Sequence, residues 1–107
     1  MKDKVAVFVH GILMNGSKKA KMYGFKRIFR GHSTLIKEED SYVEGEIRFM
    51  DEEDLEICDR IEGFNKDNLE ASFYVRLKGK AVDNSGKEYD VWFYTQRQDY
   101  LRDGSPD

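Results

Sequence analysis

Hydrophobic positions in this chain fall into short runs separated by polar and glycine-containing breaks. The first run, Lys4-Val5-Ala6-Val7-Phe8-Val9, is β-branched, has no breaker and is short enough for a buried strand. It stops at His10-Gly11-Ile12-Leu13-Met14-Asn15-Gly16, where paired glycines mark an ordered turn. Ser17 is a suitable cap for a short helix through Met22, with Gly24 closing it. Phe25 to Ile36 reads as extended chain interrupted by Gly31. From Tyr42 to Phe49 apolar and polar residues alternate, which predicts a strand with one wet face.

The clearest helix spans Asp51 to Ile61. Asp51 is an N-cap residue, and Glu52, Glu53 and Asp54 fill the first turn, where the helix dipole favours negative charge. Leu55, Cys58 and Ile61, with Ile57 beside them, form the stripe expected to face the core, and Gly63 ends the helix. Two further strands, about Ala71 to Val82 and Glu88 to Tyr94, are joined by Asp83-Asn84-Ser85-Gly86-Lys87, a hairpin linker by its Asn/Gly chemistry. The residues after Gln96 are polar and end in Gly-Ser-Pro-Asp, a tail of the kind that frays. The pattern predicts a small α+β domain with a curved, mostly antiparallel sheet and one main helix.

Composition narrows this picture. With 107 residues the chain suits a single domain, with a core over about residues 4–96 and a tail over 97–107. A 39% apolar fraction that includes 13% aromatic residues argues against disorder, and a single cysteine, Cys58, excludes a disulfide scaffold. No apolar run approaches a membrane span and no signal peptide opens the chain, so a cytoplasmic protein with no membrane partner is expected. The net charge of −3 conceals an asymmetry: residues 2–37 sum to +8 and residues 38–70 to −11. Such a split calls for either a charged partner or self-complementarity.

Two local features bear on chemistry. A tight glycine-containing turn after a strand leaves several backbone N–H groups pointing one way, and such a nest binds carboxylate or phosphate. An ordinary strand-end turn has the same sequence signature. Glu62 sits at the helix C-terminus, where cations rather than anions are favoured. A negative helix end and partial burial both raise a carboxyl pKa, which suits a general acid/base; an exposed glutamate tolerating a poor position is the plain alternative. His10, His32 and Cys58 are too few and too scattered for a zinc site. Lys18, Lys19, Lys21, Lys26, Arg27 and Arg30 interleave with Tyr23, Phe25 and Phe29, a mixture able to bind single-stranded nucleic acid. The pI of about 5.4 and the lack of a binding motif make nucleic acid an unlikely partner and a solvated helix face the expected reading.

Several motifs together resemble the gamma-glutamylcyclotransferase-like family, including its gamma-glutamylamine cyclotransferase branch. The family's first strand runs into a Tyr-Gly-Ser/Thr-Leu turn, and here Val7-Phe8-Val9 leads into His10-Gly11-Ile12-Leu13. A Val-x-Gly-Glu-hydrophobic strand is matched by Val43-Glu44-Gly45-Glu46-Ile47, and an acidic helix ending Leu-Asp-x-hydrophobic-Glu-Gly by Ile57-Cys58-Asp59-Arg60-Ile61-Glu62-Gly63. A Tyr-x-Arg strand follows as Tyr74-Val75-Arg76, and a last strand ends in Tyr94. The departures are His10 for the turn tyrosine, Ile12 for its Ser/Thr, and no Tyr-Pro segment before the Val-x-Gly-Glu strand.

The resemblance implies a small mixed, mostly antiparallel β-barrel with flanking helices and a cavity at the barrel mouth. It implies that the backbone of the turn His10, Gly11, Ile12 and Leu13 holds a small anionic ligand, a gamma-glutamyl compound, and that Tyr74 and Tyr94 line the mouth. Cross-strand packing is the alternative for Tyr74, and Arg76 is either an anion contact or a structural ion-pair partner. The family's catalytic glutamate falls on Glu62, which moves a proton from the substrate's α-ammonium group to the leaving amine as 5-oxoproline forms. Intramolecular ring closure of this kind requires neither metal nor organic cofactor. Loss of the hydroxyls at positions 10 and 12 leaves a second expectation open: a sequestering protein on the same fold, for a phosphorylated or nucleotide ligand. A monomer or small homo-oligomer fits either.

Overall fold

The computed structural model describes residues 4–10, 18–29 and 33–97. Among them five strands form a closed barrel in the order β1-β3-β2-β4-β5: β1 (Val5–Val9), β2 (Lys18–Phe29), β3 (Ser33–Met50), β4 (Tyr74–Asp83) and β5 (Glu88–Gln96). One helix, α1 (Glu52–Glu62), and a 3-10 turn at Leu69–Ala71 connect β3 to β4. No helix among the described residues is long and apolar enough to cross a membrane. The expected α+β class and the mixed, mostly antiparallel barrel both hold: β1 runs parallel to β5 through Val7↔Trp92, and every other pairing is antiparallel.

Of the helix expected from Ser17 to Met22, Ser17 lies outside the described residues, and Lys18 to Met22 are instead the opening of β2. Its burial alternates, with Ala20 and Met22 inside and Lys19, Tyr23 and part of Lys21 outside, which is the period of a strand. The residues that resembled caps have another origin, because Gly24 lies at the register shift between Tyr23 and Phe25 in the β2–β3 pairing. The basic residues of this stretch therefore line a strand, not a helix face. β3 is also longer than the expected strand at 42–49. Four of its residues, 38–41, stand opposite Gly24 alone, so the β2–β3 hairpin bends sharply there.

Phe8, Met22, Leu35, Ile47, Val91 and Phe93 are each at most 2% exposed and fill the barrel, with Ala20, Val43 and Ala81 in the narrower places. A Cβ at Gly45 would collide with the Val9 carbonyl oxygen and the Phe8 ring, so only glycine allows β1 to lie this close to β3.

Candidate functional site

The end of α1 is built from its sequence. Asp51 adopts extended backbone and its carboxylate accepts the Asp54 N–H at 2.9 Å, starting the helix where the acidic run predicts. Gly63 takes the left-handed conformation (φ +72°), its N–H bonds the Arg60 carbonyl at 3.2 Å, and the Phe64 N–H bonds the Asp59 carbonyl at 2.8 Å. This closing pattern needs a residue without a Cβ penalty at position 63. The Gly63 carbonyl then accepts the Phe73 N–H, and the Phe73 carbonyl accepts the Arg97 N–H, each at 3.0 Å. Glu62 is thereby fastened beside the start of β4 and the finish of β5, and it is half-buried.

The stripe of α1 differs from the expected one. Leu55 and Asp59 are its buried residues, whereas Ile57 is 47% and Ile61 76% exposed, and Cys58 is half-buried. Leu55 and Asp59 are four residues apart and so share a face. The Cys58 thiol points at Met50 Sδ, 3.9 Å away. Burial, followed by the Glu62, Asp59 and Asp54 carboxylates, pushes its pKa up, so it stays a thiol and is a poor nucleophile.

Sequence reasoning included Asp59 in the Leu-Asp-x-hydrophobic-Glu-Gly match but gave it no role. Tyr94 Oη donates to Asp59 Oδ1 at 2.6 Å, and Arg76 Nη1 lies 3.2 Å from Asp59 Oδ2. Arg76 and Tyr94 face each other across the β4–β5 ladder and carry their side chains on the outer wall, opposite in parity to the core residues Val75 and Phe93. The Arg76 guanidinium lies over the Trp92 ring at 4.4 Å and near the Phe64 ring at 5.6 Å. Burial, then the hydrogen bond to Asp59, raises the Tyr94 hydroxyl far above the usual tyrosine range, so it remains a proton donor. Of the two roles open for Arg76, the structure displays the ion pair. The Leu55–Asp59 spacing was the available signal, and it was masked by the more hydrophobic Ile57, Cys58 and Ile61.

The other expected site residues lie at the same end of the barrel. His10 follows the last residue of β1 and is half-buried, 6.5 Å from the Phe8 ring. Burial, and secondarily the Arg27 cation, lowers its pKa from 6.5 to about 4, so the imidazole is neutral at physiological pH. Its Nδ1 is buried without a hydrogen-bond partner among the described residues. Tyr74, 8% exposed, opens β4 with its ring edge-on to Phe73 and pairs in register with Gln96. Because β1 and β5 finish where β4 begins, His10, Tyr74 and Tyr94 stand at one end of the barrel wall, with Tyr94 and, by the same parity as Arg76, Tyr74 turned to its outer side rather than lining the mouth. Gly11, Ile12 and Leu13 lie outside the described residues, as does His32.

Elsewhere, a cavity of about 230 Å³ opens between β2 and β3, lined by Lys19, Lys21, Glu44, Glu46 and Asn84 together with Ala20 and Gly45. Among the described residues, none of the expected site residues lines it. Among the described residues no cluster of His, Cys, Asp and Glu side chains could hold a metal ion.

Comparison with known proteins agrees with this architecture. The profile of the family described as gamma-glutamyl cyclotransferase, AIG2-like matches residues 6–106. A Methanocaldococcus jannaschii protein named as a gamma-glutamylcyclotransferase and putative RNase is 28% identical over 111 aligned positions, covering 89% of this chain and 47% of that protein. The chain thus spans about half the length of this curated relative. Among solved structures, an Arabidopsis thaliana protein superposes with a TM-score of 0.70 at 19% identity, covering 90% of this chain and 70% of the other. A structure titled gamma-glutamyl cyclotransferase gives 0.67 at 19% identity, covering 88% and 67% of the two chains. An uncharacterized Homo sapiens protein gives 0.70 at 21% identity, covering 89% and 68%. These likenesses establish a shared fold, and the profile match over nearly the whole chain establishes more: the protein belongs to the gamma-glutamyl cyclotransferase, AIG2-like family.

Proposed function

We propose that this protein cyclises a gamma-glutamyl amine or gamma-glutamyl amino acid to 5-oxoproline and releases the amine. The Glu62 carboxylate takes a proton from the substrate's α-ammonium group. The freed nitrogen attacks the γ-carbonyl carbon of the same molecule, forming the ring C–N bond. As the bond to the leaving nitrogen breaks, the Glu62 carboxyl returns the proton to that nitrogen, and the second proton of the ring nitrogen passes through Glu62 or solvent to the released amine, which departs as an ammonium. Atoms and charge balance with no other reactant, and holding the two reacting groups together supplies much of the acceleration. The turn from His10 to Leu13 holds the substrate carboxylate through its backbone N–H groups. The observation that carries this reading is the tethering of Glu62, at the end of α1, beside the barrel end that also carries His10 and Tyr74.

The test is incubation with a panel of gamma-glutamyl amines and dipeptides while following 5-oxoproline. Wild type is expected to form it, and Glu62→Gln is expected to lose roughly 10²–10⁴-fold in kcat, the usual worth of a general acid/base. No product from any member of the panel, or full activity in Glu62→Gln, would overturn the reading.

A second reading has an observation of its own. The neutral, half-buried His10 stands where the family carries a tyrosine, and its Nδ1 has no partner among the described residues. Such a site suits a protein that binds and sequesters a small anionic ligand without turning it over. Thermal shifts with nucleotides but not with glutamyl compounds, together with no 5-oxoproline, would favour this reading.

A further inference from the structure

Helix α1 carries little apolar area against the barrel near its C-terminus. Leu55 is its buried aliphatic residue, one turn back from Asp59, and beyond it Ile61 is 76% exposed. The last turn is held by polar contacts converging on Asp59: the Tyr94 hydroxyl on Oδ1, the Arg76 guanidinium on Oδ2, and the Phe64 N–H on the backbone carbonyl. Apolar contact would let the helix end slide or roll by fractions of an ångström at small cost. A carboxylate gripped on both oxygens from two neighbouring strands resists such motion, because hydrogen bonds weaken steeply with distance and angle. A buried ion pair contributes uncertain net stability, since desolvation offsets its attraction. Its effect here is directional.

The grip is itself held. Arg76 and Tyr94 are direct partners in the β4–β5 ladder, which fixes their spacing, and the indole of Trp92 lies against the guanidinium. Phe64, next to the C-cap glycine, approaches the same guanidinium from the helix side. Glu62 is three residues, less than one turn, beyond Asp59. Any rotation of the helix end is therefore passed directly to its carboxylate.

We propose that Asp59, Arg76 and Tyr94 act as positioning residues for Glu62, clamping the last turn of α1 to the outer barrel wall so that its carboxylate is held within proton-transfer distance of a bound substrate. This inference rests on the reading of Glu62 as the proton-transfer group. A general base works over roughly 2.6–3.2 Å, so a small displacement is costly to turnover. A ligand bound through the turn backbone is unaffected, so the clamp governs kcat and leaves KM nearly alone.

The experiment uses the full chain and whichever gamma-glutamyl compound wild type turns over fastest. Tyr94→Phe deletes one oxygen, Asp59→Asn keeps the shape and removes the charge, and Arg76→Lys is the conservative counterpart of Arg76→Met. Tyr94→Phe and Asp59→Asn are expected to lower kcat by about tenfold or more with KM within about twofold, as misplacement of a catalytic group does. The double variant should be no slower than the slower single, because both break one unit. Arg76→Lys should keep more activity than Arg76→Met, and amide exchange at Gly63 and Phe64 should quicken in Asp59→Asn. Unchanged kcat in a folded Tyr94→Phe, additive effects in the double variant, or a loss that follows folded fraction overturns the clamp. The two readings fail separately: an inactive Glu62→Gln beside a fully active Tyr94→Phe sinks the clamp alone. A wild type that forms no 5-oxoproline sinks both.

Discussion

His10 shows how one residue links fold and pH. Its imidazole is drawn into the barrel end beside Arg27, and its pKa falls from 6.5 to about 4. Between those values the unfolded chain binds a proton that the folded chain refuses. The associated stability is therefore complete above pH 6.5 and is lost as pH falls toward 4. Urea midpoints measured from pH 7 to pH 4.5 should fall more steeply for wild type than for His10→Gln. Parallel curves would contradict this. At the same scale Glu62 was legible as an anomaly, a carboxylate at the wrong end of a helix dipole. Asp59 was visible as a motif position but not in its role, since a lone aspartate on a helix that is acidic elsewhere resembles any solvated acid. What distinguishes it is a pair of side chains contributed by strands 17 and 35 positions further along the chain.

Among the elements, α1 was read almost to the residue because its signals are local. An N-cap, an acidic first turn and a C-cap glycine act within a few positions of where they are written. Replacing Asp51 with alanine removes the acceptor for the Asp54 N–H and should cost about 1 kcal/mol, the usual worth of such a cap. A urea midpoint unchanged from wild type would refute this. β2 was misread for the opposite reason. Its six residues from Lys18 to Tyr23 carry one small and one flexible apolar side chain, too little to announce a period of two, while Ser17 and Gly24 imitate helix ends. Partners on both sides decide the matter, since β3 and β4 flank this segment and take up its backbone groups.

At the scale of the molecule, the charge split along the chain is largely answered within the fold. The basic β2 lies against the acidic part of β3, with Lys19 opposite Glu46 and Lys21 opposite Glu44, and Lys18 Nζ lies 3.5 Å from Asp83 on β4. Opposed charges in register favour this pairing over alternatives that would place like charges together. The barrel is closed by the pairing of β1 with β5, and a buried contact between β3 and β5, which no local signal announces, joins two strands that are not ladder neighbours. Beyond the bend at 38–41, β3 brings Thr34 to β5, where its hydroxyl lies 3.0 Å from that of Thr95 and accepts the Gln96 N–H at 2.8 Å. Thr95 Oγ1 in turn donates to the Leu35 carbonyl at 2.6 Å. Both threonines are at most 2% exposed. Thr95→Val keeps the shape but strands these buried groups, and should destabilise the protein by about 1–3 kcal/mol in denaturant unfolding. A loss below the error of the measurement would show that the fold does not depend on this pair.

The sequence by itself determined the class, the α1 boundaries, the β4–β5 hairpin and the motif carrying Glu62, because each rests on interactions between near neighbours in the chain. Gly45, written as one glycine in a strand, belonged to this set as a motif, although its reason, the close passage of β1, did not. Only the tertiary structure decided that the basic stretch is a strand, that the sheet closes through β1 and β5 with Thr34 and Thr95 joining β3 to β5, and that Asp59 is gripped by Arg76 and Tyr94. Each of those depends on groups far apart in sequence. Their cost in chain entropy is met by burial of the whole barrel rather than by any preference of the residues concerned.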